Sequence, residues 1–349
     1  MSYEHERRFW KVLPKGIKLL LFFMLGVVLL FEVYTFVVVY TEGNAPLPAA
    51  FGNFERVRRL LASHEQREEF SFAVVGDRGT GAGTFKRIWE KLRDEPLSFM
   101  VHLGDYTRDG TKGYHRFLRR EWAQKAPLPF PVFYVVGNHD VDEREFPISQ
   151  FEKNYGPTLF TFDYQGCLFI VLCVMDKPST EKSLAFLESS LSARRQDYRK
   201  VFVFLHVPPV RPDFAVRSAR NTNEFVALFD RYHVDYVFAG HYHAYARVKV
   251  RNTVYLVSGG GGASLERGKF GRFHHATVIE VGPDWVSERI LHVESERDIG
   301  ARVEEFVLAE LYPRIVTHWP VAILLNVGIL GILFWAFRGF LRNGRRHKF

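Results

Sequence analysis

At Tyr134-Val135-Val136-Gly137-Asn138-His139-Asp140 an apolar run meets a glycine and then presents an amide, an imidazole and a carboxylate in succession. A strand covered on both faces reads as a continuous apolar run, and residues 131–136 form one. Polar side chains just past such a strand lie where open α/β sheets bind ligands. Gly, Asn and Asp also dominate ordinary turns, so this stretch alone decides little. Its recurrence decides more. Asp77 follows the run 72–75, Asp105 follows 98–103, His206 follows 201–205, and His241 with His243 follows 236–239. An unpaired polar group at a buried strand end costs about 1–3 kcal/mol. Oxygen and imidazole donors repeated at five strand ends therefore imply a shared ligand.

Between these runs, 85–92, 184–191 and 225–232 carry helical spacing, and 160–164 with 167–175 reads as a hairpin. Strands alternating with helices predict an α/β fold. The donors are oxygen and nitrogen with no thiolate, which suits Mn, Fe or Zn and argues against copper redox and iron–sulfur chemistry. Cys167 and Cys173 fall on one predicted strand, ~20 Å apart, too far for a disulfide within it. A carboxylate can bridge two cations, and a pair of cations clamps the attacking and leaving oxygens of an in-line displacement at phosphorus while bringing a bound water toward a pKa of about 7.

The blocks resemble the calcineurin-like metallophosphoesterase superfamily, and within it the purple-acid-phosphatase-like branch. They run in the same order: Gly-Asp-x-Gly at 76–79, Gly-Asp at 104–105, Gly-Asn-His-Asp at 137–140, Val-x-x-His at 203–206 and Gly-His-x-His at 240–243, continued by Tyr245 and Arg247. The resemblance spans residues 70–282 and implies a four-layer α/β/β/α sandwich. It implies that Asp77 and His243 bind a first divalent cation, that Asn138, His206 and His241 bind a second, and that Asp105 bridges them. By the same match, His139 contacts the phosphoryl oxygen and protonates the leaving group. Two positions depart from the pattern: Gly79 stands where many members have histidine, and Arg108 where the purple branch has tyrosine. Tyr106, one residue past Asp105, is expected to point elsewhere. The expected metal is Mn, with Fe or Zn as alternatives, without a tyrosinate-to-iron colour. Arg78, Arg108 and Arg247 are candidate phosphate contacts.

The net charge of +8 sits at the ends: residues 1–18 carry +3 and 338–349 carry +5, which leaves the body neutral and excludes a nucleic-acid-binding body. Each basic end adjoins an apolar run long enough to span a bilayer, 17–40 and 319–337. The expected order is a basic tail (1–16), a span (17–40), an amphipathic linker (41–70), the metallophosphoesterase domain (71–295), an amphipathic helix (296–318), a second span (319–337) and a basic tail (338–349). Positive flanks place both termini in the cytoplasm and the domain on the opposite side. Glu32 and Asn326 lie at nearly equal depth and are expected to hydrogen-bond. Phe51, Phe54, Val57, Leu60 and Leu61 form one amphipathic face, and Ile299, Val303, Phe306 and Val307 a second. The leading expectation is a membrane-anchored two-metal phosphoesterase acting on a phosphate ester, such as a lipid-linked diester. Behind it stand a tethered monoesterase for soluble nucleotides or phosphoproteins, and a catalytically weak scaffold of the same fold. The oligomeric state is left open.

Overall fold

Strands that are apolar on both sides need a cover on each, and residues 51–305 supply it. The structure is a computed structural model and describes residues 14–41, 51–63, 65, 67–121, 127–210, 222–267 and 271–344. Arg7, Arg8, Lys11, Arg345, Arg346 and Lys348 of the basic tails, and residues 42–50 of the expected linker, lie outside the described residues. The chain divides into two units, residues 45–305 and a second made of 1–44 with 306–349.

The larger unit holds strands β1 (Phe70–Val75), β2 (Phe99–His102), β3 (Val132–Tyr134), β4 (Phe160–Tyr164), β5 (Cys167–Val171), β6 (Lys200–Phe204), β7 (Tyr236–Ala239), β8 (Tyr245–Val250), β9 (Thr253–Ser258), β10 (His274–Val281) and β11 (Val286–Val293). Its helices are α1 (Glu55–Ala62), α2 (Ala82–Arg93), α3 (Lys112–Leu118), α4 (Ile148–Tyr155), α5 (Lys177–Arg194), α6 (Thr222–Arg231) and α7 (Ile299–Phe306). One sheet has the order β11-β10-β1-β2-β3 and the other β4-β5-β6-β7-β9-β8. Within them β1, β2 and β3 are parallel, as are β5, β6, β7 and β9.

Side chains alternate faces along each strand, and both faces are filled. Phe72, Val74, Phe99 and Phe133 meet Phe169, Phe202, Phe204 and Phe238 of the other sheet in one buried cluster. Ala73, Val75 and Met100 turn outward onto Phe85, Ile88 and Trp89 of α2. Ile170, Val203 and Val237 turn onto Leu187, Leu191, Phe225 and Phe229 of α5 and α6. The result is the expected α/β/β/α layering. Phe72 ties the sheets together, its ring 5.0 Å from Phe99 and 5.6, 5.5 and 5.8 Å from Phe169, Phe202 and Phe238. Cys167 and Cys173 are free and buried.

Several elements differ from the sequence expectation. The helix expected over 184–191 runs Lys177–Arg194, because Asp176 and Ser179 form a reciprocal cap at 2.8 and 2.9 Å with a proline in the first turn. Of the run 167–175 only Cys167–Val171 is strand; Leu172 N still donates to Phe204 O at 2.9 Å, and Ser183 Oγ then takes over the backbone N–H and C=O of Cys173. Strands β8, β10 and β11 and helices α3 and α4 have no counterpart in the run-based reading. The face of α1 is a core face: Val57 and Leu61 are buried with the inter-sheet aromatics, and Arg58 and Arg59 are exposed. Around α7 the expected apolar face is divided, with Val307 buried. Ile299, Val303 and Phe306 are 76, 39 and 43 % exposed, while Ala301 and Glu305 are buried at 6 and 7 %.

In the smaller unit, Lys15–Thr41 and Trp319–Gly344 are helical. Its segment Leu19–Tyr40 is long and apolar enough to cross a membrane. Asn326 Nδ2 donates to Glu32 Oε2 at 2.6 Å, the pairing expected from their depths.

Two outcomes follow. Phe72→Ala should lower stability in reversible urea unfolding by about 3–5 kcal/mol; a loss below ~1 kcal/mol would contradict the central role of this ring. Glu32→Leu and Asn326→Leu should be non-additive, with a coupling of about 0.6–1.7 kcal/mol in a detergent unfolding cycle; strict additivity would remove the pair.

Candidate metal centre

The parallel strands end at a common edge, and backbone bonds knit the loops that follow. Asp77 N donates to Gly104 O at 3.1 Å, Arg78 N to Asp105 O at 3.0 Å and Gly240 N to His206 O at 3.0 Å. The turns are sharp. Asp77, Asp105 and His241 adopt left-handed φ of 64, 54 and 65°, a conformation that costs an L-residue on the order of 1 kcal/mol each and that surrounding contacts must hold.

His206 is the focus. Its Nδ1–H donates to Leu103 O at 2.7 Å, which leaves Nε2 facing the site. Three further donor atoms face that nitrogen: Asn138 Oδ1 at 3.2 Å, Asp105 Oδ2 at 3.3 Å and His241 Nδ1 at 3.3 Å. Asp105, His206 and His241 are close enough together to hold one cation. Beside them lies a second pair, His243 Nε2 and Asp77 Oδ1, 3.6 Å apart. His243 Nδ1 is turned to Ser264 O at 3.0 Å, which again frees Nε2. Both carboxylate oxygens of Asp77 accept from His241 N, at 3.0 and 2.9 Å. A set of imidazole and carboxylate atoms with tautomers fixed by outer carbonyls fits divalent cations such as Mn, Fe or Zn.

The electrostatics are those of a site that needs positive charge. Burial, reinforced by Asp105, pushes the Asp77 carboxyl well above the ordinary range. Burial works the same way on Asp105, but the adjacent His206 and the N–H of His139 outweigh it and bring that group down to about 2. For His206, burial disfavours the charged ring, yet Asp105 and Asp77 overcome it and lift the value to about 10. Burial and the proximity of His206 lower His241 to about 4.

Asp140 braces the edge. Buried, it accepts from Asp105 N at 2.7 Å and Gly137 N at 2.8 Å through Oδ2, and from Thr107 N at 3.1 Å through Oδ1. Burial and the neighbouring Asp105 push its carboxyl up to about 8. Motif reading centres on the donors and passes over the outer partners: Thr107, and the carbonyls of Leu103 and Ser264. The glycine at 259 keeps room beside Asp77. A Cβ at Gly259 would lie 2.1 Å from Tyr242 O and 2.9 Å from Asp77 Oδ2.

The remaining expected residues are placed as follows. Asn138 and His139 are exposed at the edge, and His139 N donates to Asp105 Oδ1 at 2.8 Å. Tyr106 is fully buried against Tyr134 and His102, its rings 5.0 and 5.3 Å apart from theirs, and so points away from the donors. Gly79 has φ of +51°, and a Cβ there would lie 2.8 Å from Ala263 Cβ, so no side chain fits where the resemblance leads one to expect histidine. Arg108 is exposed. Arg247 is held by Glu288 at 2.8 and 2.9 Å. The expectation of a phosphate contact at Arg78 is corrected: the side chain is 1 % exposed and donates to Glu305 Oε1 at 2.9 Å.

Residues 70–245 match the family model described as calcineurin-like phosphoesterase. The chain is 28 % identical over 235 residues to the serine/threonine-protein phosphatase CPPED1 of Bos taurus, across 60 % of this chain and 72 % of that one. It is 25 % identical over 220 residues to the phosphoenolpyruvate phosphatase of Allium cepa; the match takes in 55 % of this chain but less than half, 44 %, of that protein. The fold is similar to that of a dimetal phosphatase from Danio rerio, with a TM-score of 0.53 at 15 % identity over 65 % of this chain and 99 % of that one.

Asp140→Asn should weaken Mn²⁺ binding by about 10- to 100-fold in calorimetric titration, because its amide NH₂ would face N–H donors in either orientation; an unchanged affinity would remove the brace. With the ordered blocks at the strand ends of the two packed sheets, the paired donor sets and the family model over half of the chain, the chain belongs to the calcineurin-like phosphoesterase family, whose chemistry is metal-dependent hydrolysis of phosphate esters.

Proposed function

We propose that the chain is a membrane-anchored, two-cation phosphoester hydrolase. The observation that carries this is the convergence of Asp105, Asn138 and His241 on His206 Nε2 at 3.2–3.3 Å, with Asp77 and His243 alongside. When bound, divalent cations at these donors supply charge for the phosphoryl oxygens and acidify the attacking water. The expected metal is Mn. The protein's own part is positional. Leu103 O and Ser264 O fix which ring nitrogen each histidine presents. Asp140 holds the two donor loops together. His139, exposed and tied through its backbone to Asp105, is the group assigned to give the leaving oxygen its proton. Arg108, exposed beside Thr107, is kept as a candidate for phosphate charge.

The membrane reading rests on the apolar helix Leu19–Tyr40, the Glu32–Asn326 bond and the basic sequence ends. It puts both termini in the cytoplasm and the catalytic unit outside it. A tethered site favours a lipid-linked phosphodiester, and the exposed Ile299, Val303 and Phe306 suit a bilayer interface. A second reading, a monoesterase for a soluble phosphate, has its own support: both curated relatives are named as phosphatases.

Mn²⁺-loaded protein should hydrolyse a chromogenic phosphodiester faster than the matching monoester, and Asp105→Asn should reduce turnover by ~10³-fold. Faster monoester turnover would select the second reading, and activity that survives Asp105→Asn would exclude the mechanism.

A further inference from the structure

Arg78 directly follows Asp77, and its guanidinium is buried. Nη1 donates to Glu305 Oε1 at 2.9 Å and to Gly79 O at 3.2 Å, and the group lies over the Phe117 ring at 4.8 Å. Arg78 and Glu305 are 1 and 7 % exposed. Such a pair costs much of its attraction in lost hydration, so stability alone is a poor reason for it, and fixing a particular backbone arrangement is the better-attested use. Here the backbone arrangement is demanding. Asp77 at φ 64° and Gly79 at φ 51° flank Arg78, and the turn between them must aim the Asp77 carboxylate toward His241 and His243. Few donors serve that side of the edge. Position 79 carries no side chain and has no room for one, so the hold on a cation beside Asp77 and His243 depends strongly on how Asp77 is aimed.

We infer that Glu305 is a positioning residue for the cation at Asp77 and His243: through Arg78 it locks the strained 77–79 turn. This rests on the two-cation reading above. Helix α7 supplies its own control, since the adjacent Glu304 pairs with Arg120 at 3.2 Å, outside the metal-binding loops. Glu305 is also the last residue of the larger unit before the chain enters the smaller one.

The test is Mn²⁺ titration of the full-length detergent-solubilised protein by calorimetry, with electron paramagnetic resonance to separate a coupled ion pair from a single ion. Glu305→Ala should weaken one of two sites by about 10-fold and replace the coupled signal with a single-ion signal, the other site keeping its affinity. Glu304→Ala should leave both sites unchanged. The double variant Arg78→Met/Glu305→Met leaves no charge unpaired, so it should fold and show the same selective loss. Two ions bound identically in wild type and both Glu305 variants would overturn this inference alone. So would a parallel loss at both sites with a fall in the melting temperature of the metal-free protein. A wild type that binds a single ion would overturn the two-cation reading and this inference with it.

Discussion

Asp140 accepts backbone N–H groups from three loop positions, two after β2 and one after β3, and the rest of the metal-binding edge is arranged around that carboxylate. Its bonds to Asp105 N and Gly137 N fix the spacing of two loops that would otherwise be free to separate, and they hold Asp105 at a left-handed φ. From Asp105 the constraint passes to His206 through the 3.3 Å contact, and from His206 to Asn138 and His241. One buried carboxylate thus sets the positions of the donor groups around it. This is how a protein keeps like-charged donors close together: the outer partners over-determine the geometry, and the donors are left with unmet electrostatic demand.

The scaffold beneath is built to be stiff. Three layers of apolar contact, one between the sheets and one outside each, leave the parallel strands no exposed face. The aromatic rings between the sheets fix the distance from the ends of β1 and β2 to those of β6 and β7. The two halves of the donor set come from opposite sheets, so that distance is also a ligand distance.

Much of this was legible in the sequence, and for a physical reason. A strand covered on both faces leaves a long apolar run, and a glycine with a polar residue at its end stands out. Asp77, Asp105, Asn138, His206, His241 and His243 were visible for that reason. Glu32 and Asn326 were visible because polar residues in an apolar helix are rare. The rest depends on partners far away in the chain. Whether Arg78 reaches toward a phosphate or toward Glu305 is settled by the packing of α7, which local pattern does not encode. Which face of that helix is covered is settled in the same way: Ile299 and Val303 stay exposed, and ion pairs at Glu304 and Glu305 turn the other face inward. Strands β10 and β11 escaped because their alternation is diluted by His, Thr, Glu and Arg.

Two donor sets, one centred on His206 and one on Asp77 with His243, are each arranged to hold a cation. Anomalous X-ray scattering from crystals grown with Mn²⁺ tests this most directly. Two peaks are expected, one among His206 Nε2, His241 Nδ1, Asn138 Oδ1 and Asp105, and the other beside Asp77 and His243. A metal-loaded crystal with no peak at His206, or with peaks only elsewhere on the protein, would contradict it.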